Sequence, residues 1–221
     1  MSGTAAAIMM GTIIIYSEDP QFLIPISIFF IVGSLTARLH PRSKDASGRT
    51  AIQVFANGMV AVVLLIFYSF TKNDILMIAY FASIAISFAD TLSSDFGIYF
   101  NHKTYDITTC QLINTGLSGG ISISGTLAGI LGSFGFAWMV KMVFNLDFQE
   151  MTTIGIVGAV GMIIDSLLGS LWQAKYAINN QVTEDANESN ILIKGLPWLN
   201  NDGVNLLANF STMSFFLWTF L

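Results

Sequence analysis

The stretch Ala85-Ile86-Ser87-Phe88-Ala89-Asp90-Thr91-Leu92-Ser93-Ser94-Asp95-Phe96-Gly97 decides how this chain is read. An apolar run of membrane-spanning character ends in two aspartates and three hydroxyl residues within six positions. Charging a carboxylate at the centre of a bilayer costs roughly 2.5 kcal/mol or more, so an acid beside a span sits at its end, faces a wet cavity or holds a cation. Asp90 and Asp95 are therefore where chemistry is expected. In a continuous helix, residues five apart point about 140° away from each other. The spacing thus predicts a helix that ends near Asp90 and turns through Leu92-Ser93-Ser94, so that both carboxylates converge on one divalent cation. Oxygen-only ligands suit magnesium, which takes one or two carboxylates and leaves its other positions to phosphates and water. The competing role for either aspartate is a helix N-cap.

Composition sets the surroundings of that stretch. The chain has 221 residues, 53% of them hydrophobic and only 10% charged, against about a quarter charged in soluble domains. It reads as one polytopic membrane domain over 1–221, an all-α transmembrane bundle. The net charge of −5 says little about partners, because in such a chain the placement of Lys and Arg carries the information. No polybasic tract addresses nucleic acid. The single cysteine, Cys110, excludes an internal disulfide and a cysteine-rich zinc site; it reads as a small packing residue. The first sixteen residues lack a basic n-region and run into another apolar segment, so they read as a first span and not a cleaved signal.

Hydropathy predicts about seven spans, near 3–16, 21–36, 50–70, 74–89, 113–141, 152–173 and 203–221. The first two are short of the ~20 residues a span needs, and 3–16 reads as tilted or partly interfacial. Of the nine basic residues, Arg38, Arg42, Lys44, Arg49, Lys103, Lys175 and Lys194 fall on one side, and Lys72 and Lys141 on the other. The positive-inside rule makes the richer side cytoplasmic, with the N-terminus inside and the C-terminus outside. The longer connections, including the cytoplasmic loop 174–202, lie there too, and within it 181–190 reads as a mobile polar loop.

The remaining polar motifs gather on that same side. Asp165, in Ile164-Asp165-Ser166-Leu167-Leu168-Gly169, ends the sixth span and echoes Ala89-Asp90-Thr91-Leu92-Ser93-Ser94, which suggests a weak internal repeat about an axis along the membrane normal. The run Asn114-Thr115-Gly116-Leu117-Ser118-Gly119-Gly120-Ile121-Ser122-Ile123-Ser124 enters the fifth span. Its small residues and helix-start amides suit a phosphate, whereas Gly125, Gly129, Gly132 and Gly135 read as a helix-packing stripe. Lys44 and Arg49 are the cationic candidates for phosphate, or else topogenic charge; a guanidinium forks onto two phosphate oxygens. Gln53 and Asn57 lie one turn apart on the helix after Arg49. Asn200, Asn201, Asp202 and Asn205 form an acidic and amide cluster at the last span, part of it N-capping. His40 and His102 read as solvated loop residues.

Taken together, these blocks resemble one family. They are Gly48-Arg49-Thr50 with Gln53 and Ala56-Asn57-Gly58; the 89–95 motif; Ile107-Thr108-Thr109; Thr115-Gly116-Leu117-Ser118-Gly119-Gly120-Ile121-Ser122 with Gly125-Thr126; Asp165-Ser166-Leu167-Leu168-Gly169 with Gln173; and Asn201-Asp202 with Val204-Asn205. Over about residues 33–210 they resemble, in order, the integral membrane family around transmembrane protein 19, long filed as a domain of unknown function. That family includes the plant phytyl-phosphate kinase of tocopherol synthesis. The resemblance implies phosphorylation of an isoprenyl monophosphate to its diphosphate with a nucleoside triphosphate, CTP by preference. The chain departs from many relatives in lacking an Asn before Gly119-Gly120.

The expected enzyme holds magnesium on Asp90, Asp95, Asp165 and Asp202. Its substrates are held by Arg49, Gln53, Asn57, Ser93, Ser94, Thr108, Thr109, Asn114, Gly116, Gly119, Gly120, Ser122, Ser166, Gln173, Asn201 and Asn205, at the cytoplasmic leaflet. The alternatives are a lipid-alcohol kinase, a cytidylyltransferase, or a transporter for an ion or phosphorylated lipid. Alternating access in a transporter needs polar groups through to the far leaflet, and that half of the sequence offers few.

Overall fold

A computed structural model of the chain describes residues 2–39, 49–178, 181–186 and 191–220. Lys44 and His40 lie outside the described residues. Among the described residues, seven α-helices carry the fold: α1 Gly3–Ser17, α2 Leu23–Thr36, α3 Ala51–Thr71, α4 Asp74–Phe100, α5 Ile123–Phe144, α6 Phe148–Trp172 and α7 Asn201–Phe220. Four of them, α3 to α6, are long and apolar enough to cross a membrane, while Gly3–Ser17 and Pro20–Thr36 are shorter apolar helices. The all-α membrane bundle is thus the architecture. Apolar residues such as Ile31, Phe67 and Leu131 point outward, the distribution a hydrocarbon solvent requires.

The 27-residue α4 is the axis of the bundle. Its Ala79, Tyr80, Phe81, Ala82, Ser83 and Ala85 have no exposed surface, because α2, α3, α5, α6 and α7 all pack on it. Small residues allow that crowding, as is usual where helices associate by close packing instead of hydrophobic exclusion. Gly125 abuts the Ser93 carbonyl, and Gly129 abuts that of Ala89, so α5 runs antiparallel to α4. Gly158 packs on Ala85 and Gly161 on Ile86, so α6 runs parallel to it. Continuing that register brings Asp165 level with Asp90.

The predicted break after Asp90 is absent. α4 continues through Phe100 and stops only at Asn101, whose left-handed backbone (φ 47°) closes the helix. Nothing between Asp90 and Asp95 is a helix breaker, and Leu92 at the middle of the stretch is buried in the bundle. The two aspartates therefore face different neighbours.

The ends of the helices sort the polar groups. Ser2 bridges Thr50, and the starts of α1, α3, α5 and α7 all lie at the end where α2, α4 and α6 finish. α1 thus begins at that end and α7 finishes at the other. At the far end Phe22 stacks among Tyr68, Tyr80, Phe81 and Phe144, with centroids 4.9–5.9 Å apart. There Tyr80 donates its hydroxyl to the Phe22 carbonyl at 2.6 Å, and Lys72 pairs with Glu18.

Two small antiparallel sheets cap the near end, and neither was expected. β1 Thr104–Asp106 pairs with β2 Leu112–Ile113 and β3 Gly120–Ile121, in the order β2-β1-β3. β4 Lys175–Ile178 pairs with β5 Gln181–Thr183 and β6 Ile191–Lys194, in the order β5-β4-β6. The expected polar loop 181–190 is in part strand, β5, while 187–190 lie outside the described residues. The fifth helix begins ten residues later than the hydropathy window, at Ile123, with Ser122 as its cap.

Candidate active site

Between the C-terminal halves of α4 and α6 and the first sheet lies a polar cavity of about 90 Å³. Asp90, Ser93 and Ser94 of α4 face it, together with Asp165 and Ser166 of α6 and Asn201 at the start of α7. The glycine run supplies the opposite wall through Gly116, Ser118, Gly119, Gly120 and Ser122. Ten of the residues expected to hold metal or substrate, with Ser118, thus line one cavity, drawn from α4, the glycine run, α6 and the start of α7, whereas the Arg49–Asn57 stretch does not line it. Asp90 lies sixteen residues beyond Asp74, about 24 Å along the axis. The cavity therefore lies toward the end of α4 that the two sheets cap.

The buried Asp165 carboxylate is not solitary. With its amide oriented to satisfy both neighbours, Asn205 donates to Asp165 Oδ2 at 2.9 Å and to the Asn201 carbonyl at 3.2 Å. Beneath it a buried polar ladder descends between α3, α4 and α7. Ser87 donates to the Asn57 carbonyl at 2.8 Å, and Asn209 donates to Ser87 Oγ at 3.2 Å and the Ser83 carbonyl at 2.9 Å. The ladder ends at Ser83, whose hydroxyl donates to Asn209 Oδ1. Asn57 thus supports the site from below without lining it.

The other expected residues are placed differently. Asp95, buried on another face of α4, accepts from Thr36 at 2.5 Å. Arg49 lies on that side too, over the rings of Phe29 and Phe30 at 5.0 and 5.8 Å and against Gly33. Burial lowers the pKa of its guanidinium, and the Asp95 carboxylate opposes the shift. Neither residue lines the cavity. Gln53 closes the capping box of α3 with Thr50. Asp202 is half-buried in the first turn of α7, one position past the residue that faces the cavity. Among the described residues no three carboxylate, imidazole or thiol groups converge as a metal cage, so the four-aspartate set is divided and two of its members share the cavity.

Thr108 and Thr109 serve a partner that sequence reading missed. Both donate backbone N–H groups and hydroxyls to Asp106 Oδ1, at 2.7–3.2 Å, and Ser170 adds its hydroxyl at 2.8–2.9 Å. Burial raises the pKa of Asp106, but these donors outweigh it and hold the carboxyl well below the usual range. Lys175 lies 3.9 Å away and donates to the Ser118 carbonyl at 2.7 Å. Ser118 N–H in turn donates to Glu184 at 2.5 Å. Burial raises the pKa of Glu184, with Ser118, Lys175 and Gln173 opposing.

This network pins the glycine run to the end of α6. Gly119 has φ +79°, and a Cβ there would meet the Ser170 backbone at 2.5 Å, so that position takes only glycine. Gln173, buried, leans on Glu184 and does not face the cavity. Asn114 lines a neighbouring, wider basin. Asp106 takes local donors from Thr108 and Thr109, but its contact with Ser170 and the contacts of Lys175 and Glu184 with Ser118 span 57–66 residues, so no local signal ties the three to one site.

An all-α bundle of apolar helices with two carboxylates at one end under a glycine-rich wall defines a membrane bundle with an acidic site. The chain belongs to the family described as integral membrane protein DUF92, whose model matches residues 1–213. It is 35% identical over 184 residues to an uncharacterized membrane protein of Methanocaldococcus jannaschii, covering 81% of this chain and 76% of that one. It is 25% identical over 219 residues to Protein VTE6, chloroplastic, of Arabidopsis thaliana, covering 93% of this chain and 60% of the plant protein. An uncharacterized membrane protein of Synechocystis is 24% identical over 94% of this chain and 77% of its own length. No solved structure matches.

Proposed function

We propose that the protein is a membrane-embedded kinase. It transfers the terminal phosphoryl group of a nucleoside triphosphate, CTP by preference, to an isoprenyl monophosphate at the cytoplasmic leaflet. The observation that carries this reading is the meeting of Asp90 and Asp165, from two parallel helices, in one polar cavity at the sheet-capped end of the bundle. The family resemblance, with a chloroplastic plant relative aligned over 93% of the chain, supplies the substrate class.

The chemistry asks little of the protein beyond alignment. An oxygen of the acceptor monophosphate attacks the terminal phosphorus, the bond to the bridging oxygen breaks, and the nucleoside diphosphate leaves with the new charge. The acceptor is already ionised, so no strong general base is required. That suits a cavity with hydroxyls and carboxylates and no imidazole among its walls.

Magnesium is the cofactor this reading calls for, and the donor set fits it: two carboxylates and serine hydroxyls, with room left for phosphate and water. Asp90 and Asp165 would hold it, and when bound it would neutralise charge on the phosphates. Asn205 fixes the orientation of the Asp165 carboxylate. The 116–122 run offers glycine backbone and serine hydroxyls to the phosphate chain.

The polar ladder favours an enzyme over a transporter. It stops at Ser83, nine residues or about 13 Å short of the far end of α4, above the Phe22, Tyr80, Phe81 and Phe144 cluster. The test is to incubate purified protein with magnesium, each labelled nucleoside triphosphate, and a panel of isoprenols and isoprenyl monophosphates. Label in the diphosphate supports the proposal. Transfer to the alcohols alone moves the assignment to a lipid-alcohol kinase, and no transfer at all overturns it.

A further inference from the structure

The narrow cavity opens beside a second space. Thr104, Thr115, Gly116, Leu117 and Glu184 wall both it and an adjoining basin of about 840 Å³ among the loops. We propose that this basin receives the base and ribose of the phosphoryl donor, whose phosphate chain then passes the neck at Gly116 and Glu184 toward Asp90 and Asp165. This inference rests on the kinase reading and adds where and how the nucleotide is held.

Size separates the two compartments. The inner cavity of about 90 Å³ is roughly a ninth of the size of the basin of about 840 Å³, enough around a phosphoryl group and too little for a nucleoside. The basin falls within the roughly 300–1,000 Å³ of small-molecule sites. Position agrees, since the basin is built from the two capping sheets and the α4–β1 connection, where a water-borne ligand arrives without crossing lipid.

The walls suit a nucleoside. β2 and β5 both border the basin, and each is an edge strand of its sheet. An edge strand carries backbone donors and acceptors that no neighbouring strand uses, and these are the groups that read a base edge. Ile113 and Val182 give apolar surface for a ring face. His102, stacked on Phe100 with centroids 5.9 Å apart and planes 21° apart, adds a flat wall, and Lys103 beside it adds a cation. At the neck, Glu184 is partnered by Ser118 N–H and faces Lys175, so it does not stand there as a bare charge against phosphate.

The test is direct binding, independent of turnover. Labelled CTP, ATP and a β,γ-methylene analogue are titrated with magnesium into detergent-purified wild type, Val182→Trp and His102→Ala, with a labelled isoprenyl monophosphate titrated in parallel. Val182→Trp adds bulk to an edge strand at the surface, and His102→Ala removes the ring without adding any. A melting curve on each variant confirms the fold. Nucleotide affinity is expected to fall at least tenfold in the first and at least threefold in the second, with acceptor affinity unchanged. Wild-type nucleotide affinity in both folded variants overturns the basin assignment and leaves the kinase reading standing. Loss of acceptor affinity instead gives the basin to the lipid phosphate and overturns it too. A wild type that binds no nucleotide removes the kinase reading itself.

Discussion

At the scale of single residues, the side chains divide by whether they touch the cavity or hold those that do. Asp90→Asn and Asp165→Asn keep volume and lose charge, so each is expected to reduce transfer at least 100-fold while leaving the melting temperature near that of the wild type. Wild-type turnover in either variant removes that carboxylate from the site. Arg49→Lys is expected to leave the nucleotide KM unchanged and to lower thermal stability, since its guanidinium packs on Phe29 and Phe30 and a lysine loses that planar contact; a raised KM would return it to the phosphates. Asp106 makes a pH-dependent prediction. Its folded pKa lies below the unfolded value of about 4, so the ionised carboxylate contributes stability in full above that value and loses it as pH falls through the folded pKa. Asp106→Asn should therefore cost about 2 kcal/mol at pH 7, and the gap in melting temperature to wild type should close as the pH is taken below about 4. A gap independent of pH would show that packing, and not charge, holds this corner.

At the scale of elements, glycine on α5 has two different meanings that can be separated. Gly129 lies against the Ala89 carbonyl, whereas a Cβ on Gly135 would meet nothing within 4 Å. Gly129→Ala is expected to destabilise the bundle by about 2 kcal/mol through overpacking. Gly135→Ala should be neutral or stabilising by up to ~1 kcal/mol, from helix propensity alone. Equal effects on thermal stability would refute the α4–α5 register. These helices were legible because a span is a long, one-signal object: each predicted apolar run corresponds to a helix, and Asp90 and Asp165 were matched by their motif before their register was known. The capping sheets were not legible, because strands of two to four residues are too short for a period of two to register. The break after Asp90 was misjudged for a related reason. Two carboxylates close in sequence suggested one shared ligand, but burial of Leu92 and the packing of α5 keep α4 straight, and Asp95 turns to Thr36 instead. Asp106, Lys175 and Glu184 escaped notice because each looks like an ordinary loop charge until the chain folds.

At the scale of the whole molecule, sidedness is open to a measurement that needs no engineering. Cys110, expected from the sequence to be a packing residue, is instead exposed, in the turn between β1 and β2 at the end of the bundle that carries the cavity. A membrane-impermeant maleimide is expected to label it in inverted vesicles and not in intact cells; labelling from outside would put the cavity on the other leaflet and reverse the orientation assigned from Lys and Arg. The aromatic floor beneath Ser83 has a consequence of another kind. A wet, charged pit sunk partway into a bilayer thins the dielectric between two compartments held at different voltage and pH, and protons pass readily along hydrogen-bonded chains. The rings of Phe22, Phe81 and Phe144, with the Tyr80 hydroxyl tied to a backbone carbonyl, interrupt such a chain where it would otherwise continue. On the kinase reading they would act as an electrical insulator, so that phosphate chemistry in a pit open to water would not short-circuit the gradient across the membrane.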